Sequence, residues 1–310
     1  MTGRTPMEGR QITKRGGPDQ VDGLLVVDKA AGMTSHDVVG RCRRIVGQRR
    51  IGHAGTLDPG ATGVLLVGLG RATRLMRYVS ELRKVYTGEV VLGRATTTLD
   101  DEGETVAIWD MSDVTASDVA NAAAKFLGPI EQVPPMVSAI KVDGRRLHEL
   151  ARQGIEVERA PRPVTIYDIE ALPTDEPGVF RLDVECSSGT YVRSLAADIG
   201  TALGGGAHLR RLRRKSIGPF DEGVAAGLDV LEHDWRSLLR TPAEMVGHLE
   251  RAIADASTAS AISHGKPLDR AALGVDGDGP WAVVDESGEL LAVYESGRTT
   301  LRAAVVLSAR

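Results

Sequence analysis

Residues 51–63 read IGHAGTLDPGATG and run straight into the apolar stretch VLLVGLG. The segment brings His53, Thr56 and Asp58 together with Gly52, Gly55, Gly60 and Gly63. Glycines let backbone approach a ligand or take positive φ, and Pro59 restricts the residue before it. A carboxylate fixed on such a loop beside a core strand is placed to act as a nucleophile or base. The triplet Asp58-Pro59-Gly60 also reads as an ordinary β-turn, because all three types are frequent in turns. Two other chemistries fail on spacing. No Gly-Lys-Ser/Thr follows the glycines, so a phosphate-binding P-loop is absent. No second carboxylate lies in the motif, as a glycosidase would need.

The neighbouring elements must hold this loop. GLLVVDK (Gly23–Lys29) reads as a strand, and a helix starts at Thr34 or Ser35 with Asp37 in its first turn. Its apolar face is Val38, Cys42, Ile45 and Val46, and Gly47 ends it. Helices are expected over 72–80 and 115–128, the second capped by Thr115 and stopped by Gly128, with a strand KVYTGEVVLG between them. Residues 133–154 form an exposed excursion with a Pro-Pro break and an Asp143-Gly144 turn. VFRLDVEC alternates as a strand, turning Phe180, Leu182, Val184 and Cys186 one way, and a helix follows from Thr190 to Leu203. Thr241-Pro242-Ala243-Glu244 is a capping box. After a short polar helix (255–264), three short strands in 281–307 resemble a small β-barrel. The whole reads as α+β with a mainly antiparallel mixed sheet flanked by helices: a disordered basic arm (1–20), a main domain (21–250) and an appendage (251–310).

Composition narrows the class. The 310 residues are 42% hydrophobic and 26% charged with a net charge of −4, the mix of a soluble globular chain. Aromatics are only 4%, which disfavours a surface that binds through many stacked rings. No apolar run reaches the roughly 20 residues of a membrane span. Cys42 and Cys186 give neither a disulfide framework nor metal-ligand spacing, which points to a reducing cytoplasm and no structural metal. Charge is segregated: five arginines lie in 41–50, RRLRRK occupies 210–215, and 95–124 holds seven acids without a Lys or Arg. A basic face suits a polyanion, because neutralising phosphates releases counterions; solvated helix faces would give the same clusters.

DKAAGMTSHDVV, GHAGTLDPGATGVLLVGLGRATR, KVYTGEVVLG, PPMVSAIKVDGRRLHELARQGIEVERAPRPV and SSGTYVRSLAADIG occur in that order. Together they resemble the bacterial tRNA pseudouridine synthase B family over most of residues 22–220, and the tail resembles its PUA-like RNA-binding appendage more weakly. The resemblance implies a pseudouridine synthase fold without cofactor or metal, acting as a monomer on uridine 55 in the TΨC arm of tRNA. By matching motif it implies Asp58 as the catalytic aspartate, Tyr86 as the ring on the target base and Arg193 as the aspartate's basic partner. His53 matches a position that helps hold the displaced T-loop, and Lys29, Tyr191, Thr56 and Gly55 fall at substrate-binding positions. Ala30 stands where the family often has Pro, and His148 replaces a frequent aromatic. Taken singly, Tyr86 is a core ring, Arg193 a phosphate contact, Lys29 a strand-end charge and His53 a loop histidine.

A uridine stacked in a folded T-loop must be extruded, at a cost of a few kcal/mol recovered from phosphate and shape contacts. The candidate grip is Arg41, Arg43 and Arg44, the excursion residues Lys141, Arg145, Arg146 and Arg152, and Arg210, Arg211, Arg213 and Arg214, with the tail on the acceptor side. The competing reading is a non-catalytic tRNA-binding or folding module in which Asp58 is structural. Charge reversal at Arg210 and Arg211 is expected to weaken tRNA binding and flatten its salt dependence. Unchanged binding in a filter assay over a salt series removes these two residues from the grip.

Overall fold

The computed structural model describes residues 20–138, 141–142, 144–151 and 153–307. The expected basic arm therefore lies outside the described residues except for Gln20. Along the chain, β1 (Gly23–Lys29) leads through a turn to α1 (Ser35–Val46), then β2 (Ile51–Ala54) and β3 (Thr62–Leu69). A 3-10 turn (Gly70–Leu75) and α2 (Met76–Ser80) precede β4 (Lys84–Leu92), and β5 (Arg94–Thr96) and β6 (Thr105–Ile108) make an outlying hairpin. Next come α3 (Ala116–Ala124), β7 (Gly128–Gln132), the short pair β8 (Lys141–Val142) and β9 (Arg145–Arg146), and α4 (Leu147–Ala151). The long strands β10 (Arg162–Pro173) and β11 (Val179–Cys186), helix α5 (Val192–Ala202), β12 (Ala207–Ile217) and β13 (Phe220–Asp221) complete the central part. The C-terminal part holds α6 (Leu228–Asp234), α7 (Pro242–Met245), β14 (Glu250–Ile253), α8 (Ala256–Ser263), α9 (Arg270–Leu273), β15 (Trp281–Val284), β16 (Leu290–Ser296) and β17 (Leu301–Val306). No helix among the described residues is long and apolar enough to cross a membrane.

The main sheet runs β1-β3-β12-β4-β11-β10-β7, with β2 also paired to β3 and β13 to β12. Among the described residues of this sheet only the β3–β12 pairing is parallel, so it is mixed and mainly antiparallel, as expected. The unbroken apolar runs of β1 and β3 follow from burial on both faces. Leu25, Val27, Leu65 and Val67 pack with Val38 and Cys42 of α1 and with Leu231 and Trp235. Leu24, Val26, Val64 and Leu66 pack the other way, against Leu75, Met76 and Val79. A third cluster joins α3 and α5 to β4 and β11, and it includes Leu57 and Ala61 of the glycine-rich loop. Burying a side chain such as Leu57 contributes about 2 kcal/mol, so the loop is anchored at both ends of its Asp-Pro-Gly turn.

Three expectations need correction. The helix over 72–80 is half 3-10 turn, because Gly70 takes φ +59 and Thr73 Oγ1 bonds back to the Gly70 carbonyl at 2.7 Å. The helix from Thr115 ends at Ala124, and Gly128, at φ +93, opens β7 instead of serving as its stop. The alternative of RRLRRK as a solvated helix face also fails: β12 sits between β3 and β4, and bulges between Arg210 and Arg213 and between Arg214 and Ser216 re-aim its arginines. The tail is an open four-stranded sheet, β14-β15-β16-β17, rather than a closed barrel, and its first strand pairs in parallel with β15. Ala282, Val284 and Val293 of that sheet join the same core as Leu24 and Leu66.

Gly63 shows how tightly β3 meets β12. It has φ +98, and a Cβ there would lie 2.2 Å from the Arg214 carbonyl oxygen. Gly63→Ala is expected to cost about 3 kcal/mol or more, through the positive φ and the backbone clash together. Thermal denaturation followed by circular dichroism should show the melting temperature fall by several degrees, and an unchanged melting temperature contradicts this packing.

Candidate active site

A cleft of about 270 Å³ opens beside the glycine-rich loop, lined by Gly55, Thr56, Asp58, Lys84, Tyr86, Tyr191, Arg193 and Arg214 among others. Asp58 lies at its rim with 41% of the side chain accessible, and Arg193 Nε meets its Oδ2 at 3.0 Å. Arg193 itself is 4% exposed. Its Nη1 donates to the Thr98 carbonyl at 2.8 Å and to Asp100 Oδ2 at 3.2 Å, and its Nη2 donates to the Val137 carbonyl at 2.9 Å. The guanidinium is thus fixed on three sides before it touches Asp58, which sets the direction of the carboxylate. Burial pushes the Asp58 carboxyl above its ordinary value, Arg193 pulls it back, and Asp100 pushes it up again.

The backbone around Asp58 is clamped from behind. Lys29 is wholly buried, and its Nζ donates to the carbonyls of Ala30 (3.0 Å), Met33 (2.6 Å) and Pro59 (3.0 Å). Those three bonds use all its protons and tie the turn before α1 to the turn after Asp58. Burial lowers the Lys29 amine to about 8, with Asp58 opposing the shift. Ser35 completes the clamp: its Oγ accepts from Leu57 N at 2.9 Å and donates to Leu57 O at 3.2 Å. Thr34 caps α1 in a reciprocal box with Asp37, which fixes where Ser35 sits.

Tyr86 points from β4 into the cleft, 7% exposed, directly across from Arg214 on β12. The Arg214 Cζ lies 5.9 Å from the ring centroid. Burial pushes the Tyr86 phenol up from its ordinary value. Tyr191 precedes α5 and is half-buried; Gln132 Oε1 accepts from its N–H at 2.7 Å while Gln132 Nε2 donates to its carbonyl at 3.1 Å.

The cleft therefore unites Asp58, Tyr86, Arg193, Tyr191, Thr56 and Gly55, which sequence reading had selected from three separate stretches. Lys29 supports the cleft without lining it. His53 also stays out of the lining: it sits on β2, edge-on to His36 at 5.6 Å, with Nδ1 buried and unbonded, and burial lowers its pKa.

Arg214 is a correction. It was expected on RNA phosphate, but it is 1% exposed and donates to the carbonyls of Val64 (2.7 Å) and Gly55 (2.8 Å), so the sheet rather than solvent surrounds it. Arg210 is held by Glu89 and Glu176, Arg211 by Glu89, and Arg213 by Asp28 and Glu222. With a side chain 71% exposed, Arg211 is the informative half of the Arg210–Arg211 reversal. Arg41 pairs with Glu232, Arg43 Nη2 donates to the Ile51 carbonyl at 3.0 Å, and Arg44 is exposed. Arg145 donates to Gln153. Arg152 lies outside the described residues, as do the side chains of Lys141 and Arg146.

Asp100, Gln132 and Lys84 were missed by sequence reading. Asp100 is submerged in a run of acids that looked like a solvated face, and nothing local marks Gln132.

Because Asp58 holds its proton more tightly when folded than when unfolded, its ionisation costs stability as pH rises through the interval above its ordinary value. Removing the neighbouring cation must widen that interval. In Arg193→Gln, NMR titration of the Asp58 carboxyl carbon should show a midpoint above that of the wild type. A midpoint unchanged or lowered means that the ion pair does not set this charge.

Comparison with known proteins identifies the family of the chain. The family model described as TruB family pseudouridylate synthase (N terminal domain) matches residues 43–192, and that of the tRNA pseudouridylate synthase B C-terminal domain matches 193–258. The tRNA pseudouridine synthase B of Rhodococcus jostii (strain RHA1) is 47% identical over 92% of this chain and 93% of its own. That of Syntrophotalea carbinolica is 50% identical over 68% of this chain and 69% of its own. Among solved structures, a chain of a Cbf5-Nop10-Gar1 complex superposes with a TM-score of 0.72 at 28% identity, covering 92% of this chain and 84% of that one. A chain of an H/ACA RNP bound to a substrate RNA containing 2′-deoxyuridine gives 0.70 at 25% identity, covering 92% and 85%. The fold is the pseudouridine synthase fold, and the chain belongs to the TruB family of pseudouridylate synthases.

Proposed function

We propose that the chain isomerises uridine to pseudouridine in the TΨC arm of tRNA, at position 55, with Asp58 as nucleophile or base and no cofactor. The observation that carries this reading is the Asp58–Arg193 pair, 3.0 Å apart at the rim of a cleft that also holds the Tyr86 ring. The names of the relatives at 47% and 50% identity support tRNA as the substrate.

Isomerisation requires that the bond from uracil N1 to ribose C1′ break, that the base turn, and that C5 join C1′. A carboxylate can attack C1′ or C6, or assist the departure of the base, and covalent help divides one hard step into easier ones. Arg193 opposes the burial that pushes the Asp58 carboxyl up and so favours its ionised form. The flat face of Tyr86 holds a freed base by stacking while leaving it able to rotate. Its raised pKa disfavours the phenol as a base for the C2′ proton.

The RNA grip is assigned to the exposed arginines of the α1 end and to Arg211, with the excursion 134–160 and the four-stranded C-terminal sheet as further RNA-binding parts in a PUA-like role. Arg210, Arg211 and Arg213 are all acid-paired, and a neighbouring carboxylate competes with phosphate; Arg211, with 71% of its side chain exposed, is the most accessible of the three.

Asp58→Asn tests the reading against a purely tRNA-binding or folding role. The variant should fold, bind tRNA with wild-type affinity and lose pseudouridine formation by on the order of 10⁴-fold or more in a single-turnover assay. Retention of activity removes Asp58 from the chemistry, and a wild type that binds tRNA without converting uridine favours the binding module.

A further inference from the structure

Two cations of the cleft, Lys84 and Arg214, are as buried as Arg193, at 5% and 1% exposed against its 4%. Arg193 is balanced by two carboxylates, whereas neither Lys84 nor Arg214 has an ion-pair partner among the described residues. Lys84 Nζ donates to the carbonyls of Ser80 (2.9 Å) and Leu82 (2.7 Å), and its third proton has no partner among the described residues. Arg214 commits Nε and Nη2 to Val64 and Gly55, while Nη1 has only the Tyr86 hydroxyl at 3.5 Å.

The two side chains converge. A Cβ on Gly55 would lie 3.3 Å from Arg214 Nη1 and 3.7 Å from Lys84 Cε, and Gly55 at φ +72 carries none. Lys84 and Tyr86 share one face of β4, and Arg214 is the cross-strand partner of Tyr86. Burial, and then the neighbouring Arg214 charge, bring the Lys84 amine down to about 8. Two like charges held together in a dry wall are costly unless an anion arrives to use them. With Tyr86 stacked on the target base as proposed above, their place beside its ring puts that anion on the base rather than on the ribose.

We propose that Lys84 Nζ and Arg214 Nη1 form an anion subsite for the departing uracil, donating to the ring carbonyl oxygens as negative charge develops there. This rests on the isomerase reading above. When C1′–N1 breaks, its electron pair leaves with the base and spreads over N1, O2 and O4. The C1′ position is satisfied by a bond to Asp58 or by loss of the C2′ proton. When C5 then bonds C1′, the Asp58–C1′ bond breaks or, in the other branch, the C2′ proton is returned; C5 loses its proton and N1 takes one up, so the product is an isomer of the substrate. Preorganised donors aimed at developing charge stabilise a transition state more than a ground state.

The test is single-turnover consumption of the target nucleoside in tRNA carrying either uridine or 5-fluorouridine, whose fluorine stabilises the departing anion. Lys84→Met should slow uridine conversion by about 10²-fold while tRNA affinity stays at the wild-type value. The loss should be several-fold smaller on 5-fluorouridine, and Lys84→Arg should recover much of the rate. Equal losses on the two nucleosides, or a defect confined to tRNA affinity and its salt dependence, overturn the proposal in favour of a packing or phosphate role. If Lys84→Met does not fold, the wild type decides: the cleft should bind barbiturate, an anion at neutral pH, more tightly than neutral uracil, and equal binding overturns the subsite. A wild type that forms no pseudouridine fails the isomerase reading itself, before Lys84 is in question.

Discussion

The Arg193 guanidinium is the contact on which the site depends. It is buried, fixed by the carbonyls of Thr98 and Val137, and shared by Asp100 and Asp58. Two carboxylates near one cation leave Asp58 only partly compensated, and burial raises its proton affinity further. The result is a carboxylate that Arg193 orients without saturating. A fully exposed aspartate would lack the orientation, and a fully enclosed pair would spend its charge internally.

The rest of the structure serves that geometry. Asp58 sits between Leu57 and Pro59, and each neighbour is tied to a different part of the fold: Leu57 to Ser35 and the helical core, Pro59 to the Lys29 ammonium. The clamp is assembled from β1, the cap of α1 and the loop before β3. The positive φ of Gly63 lets β3 pass close enough to β12 for Arg214 to reach back under the loop. Arginine thus appears twice at the cleft with different consequences, paired with acids at Arg193 and bonded only to neutral oxygens at Arg214.

Charge outside the cleft is arranged differently. In RRLRRK, Arg210, Arg211 and Arg213 are engaged by Glu89, Glu176, Asp28 and Glu222, and Arg211, 71% exposed, stays the most accessible of them, with Arg44 exposed on α1. The net charge of −4 disfavours indiscriminate coating of nucleic acid.

Local pattern determined a good deal by itself. The alternation in VFRLDVEC, the capping box at Thr34, the capping box at Thr241 and the glycine at 47 each act through contacts a few residues apart, and each element formed as read. The residue types of the GTLDPG loop fit an ordinary Asp-Pro-Gly turn as well as a rigid carboxylate mount, and only the resemblance across several motifs singled out Asp58. The tertiary structure alone decided which distant groups meet that aspartate. RRLRRK carries no sign that its fourth arginine turns inward beside Tyr86 while the others meet acids, because bulges in β12 set those directions and pairing with β3 and β4 sets the bulges. Asp100 and Gln132 were invisible for the same reason, and the open C-terminal sheet needed β14, whose parallel partner lies some thirty residues away. Sequence records what a side chain can do; burial and strand register fix which partner it does it with.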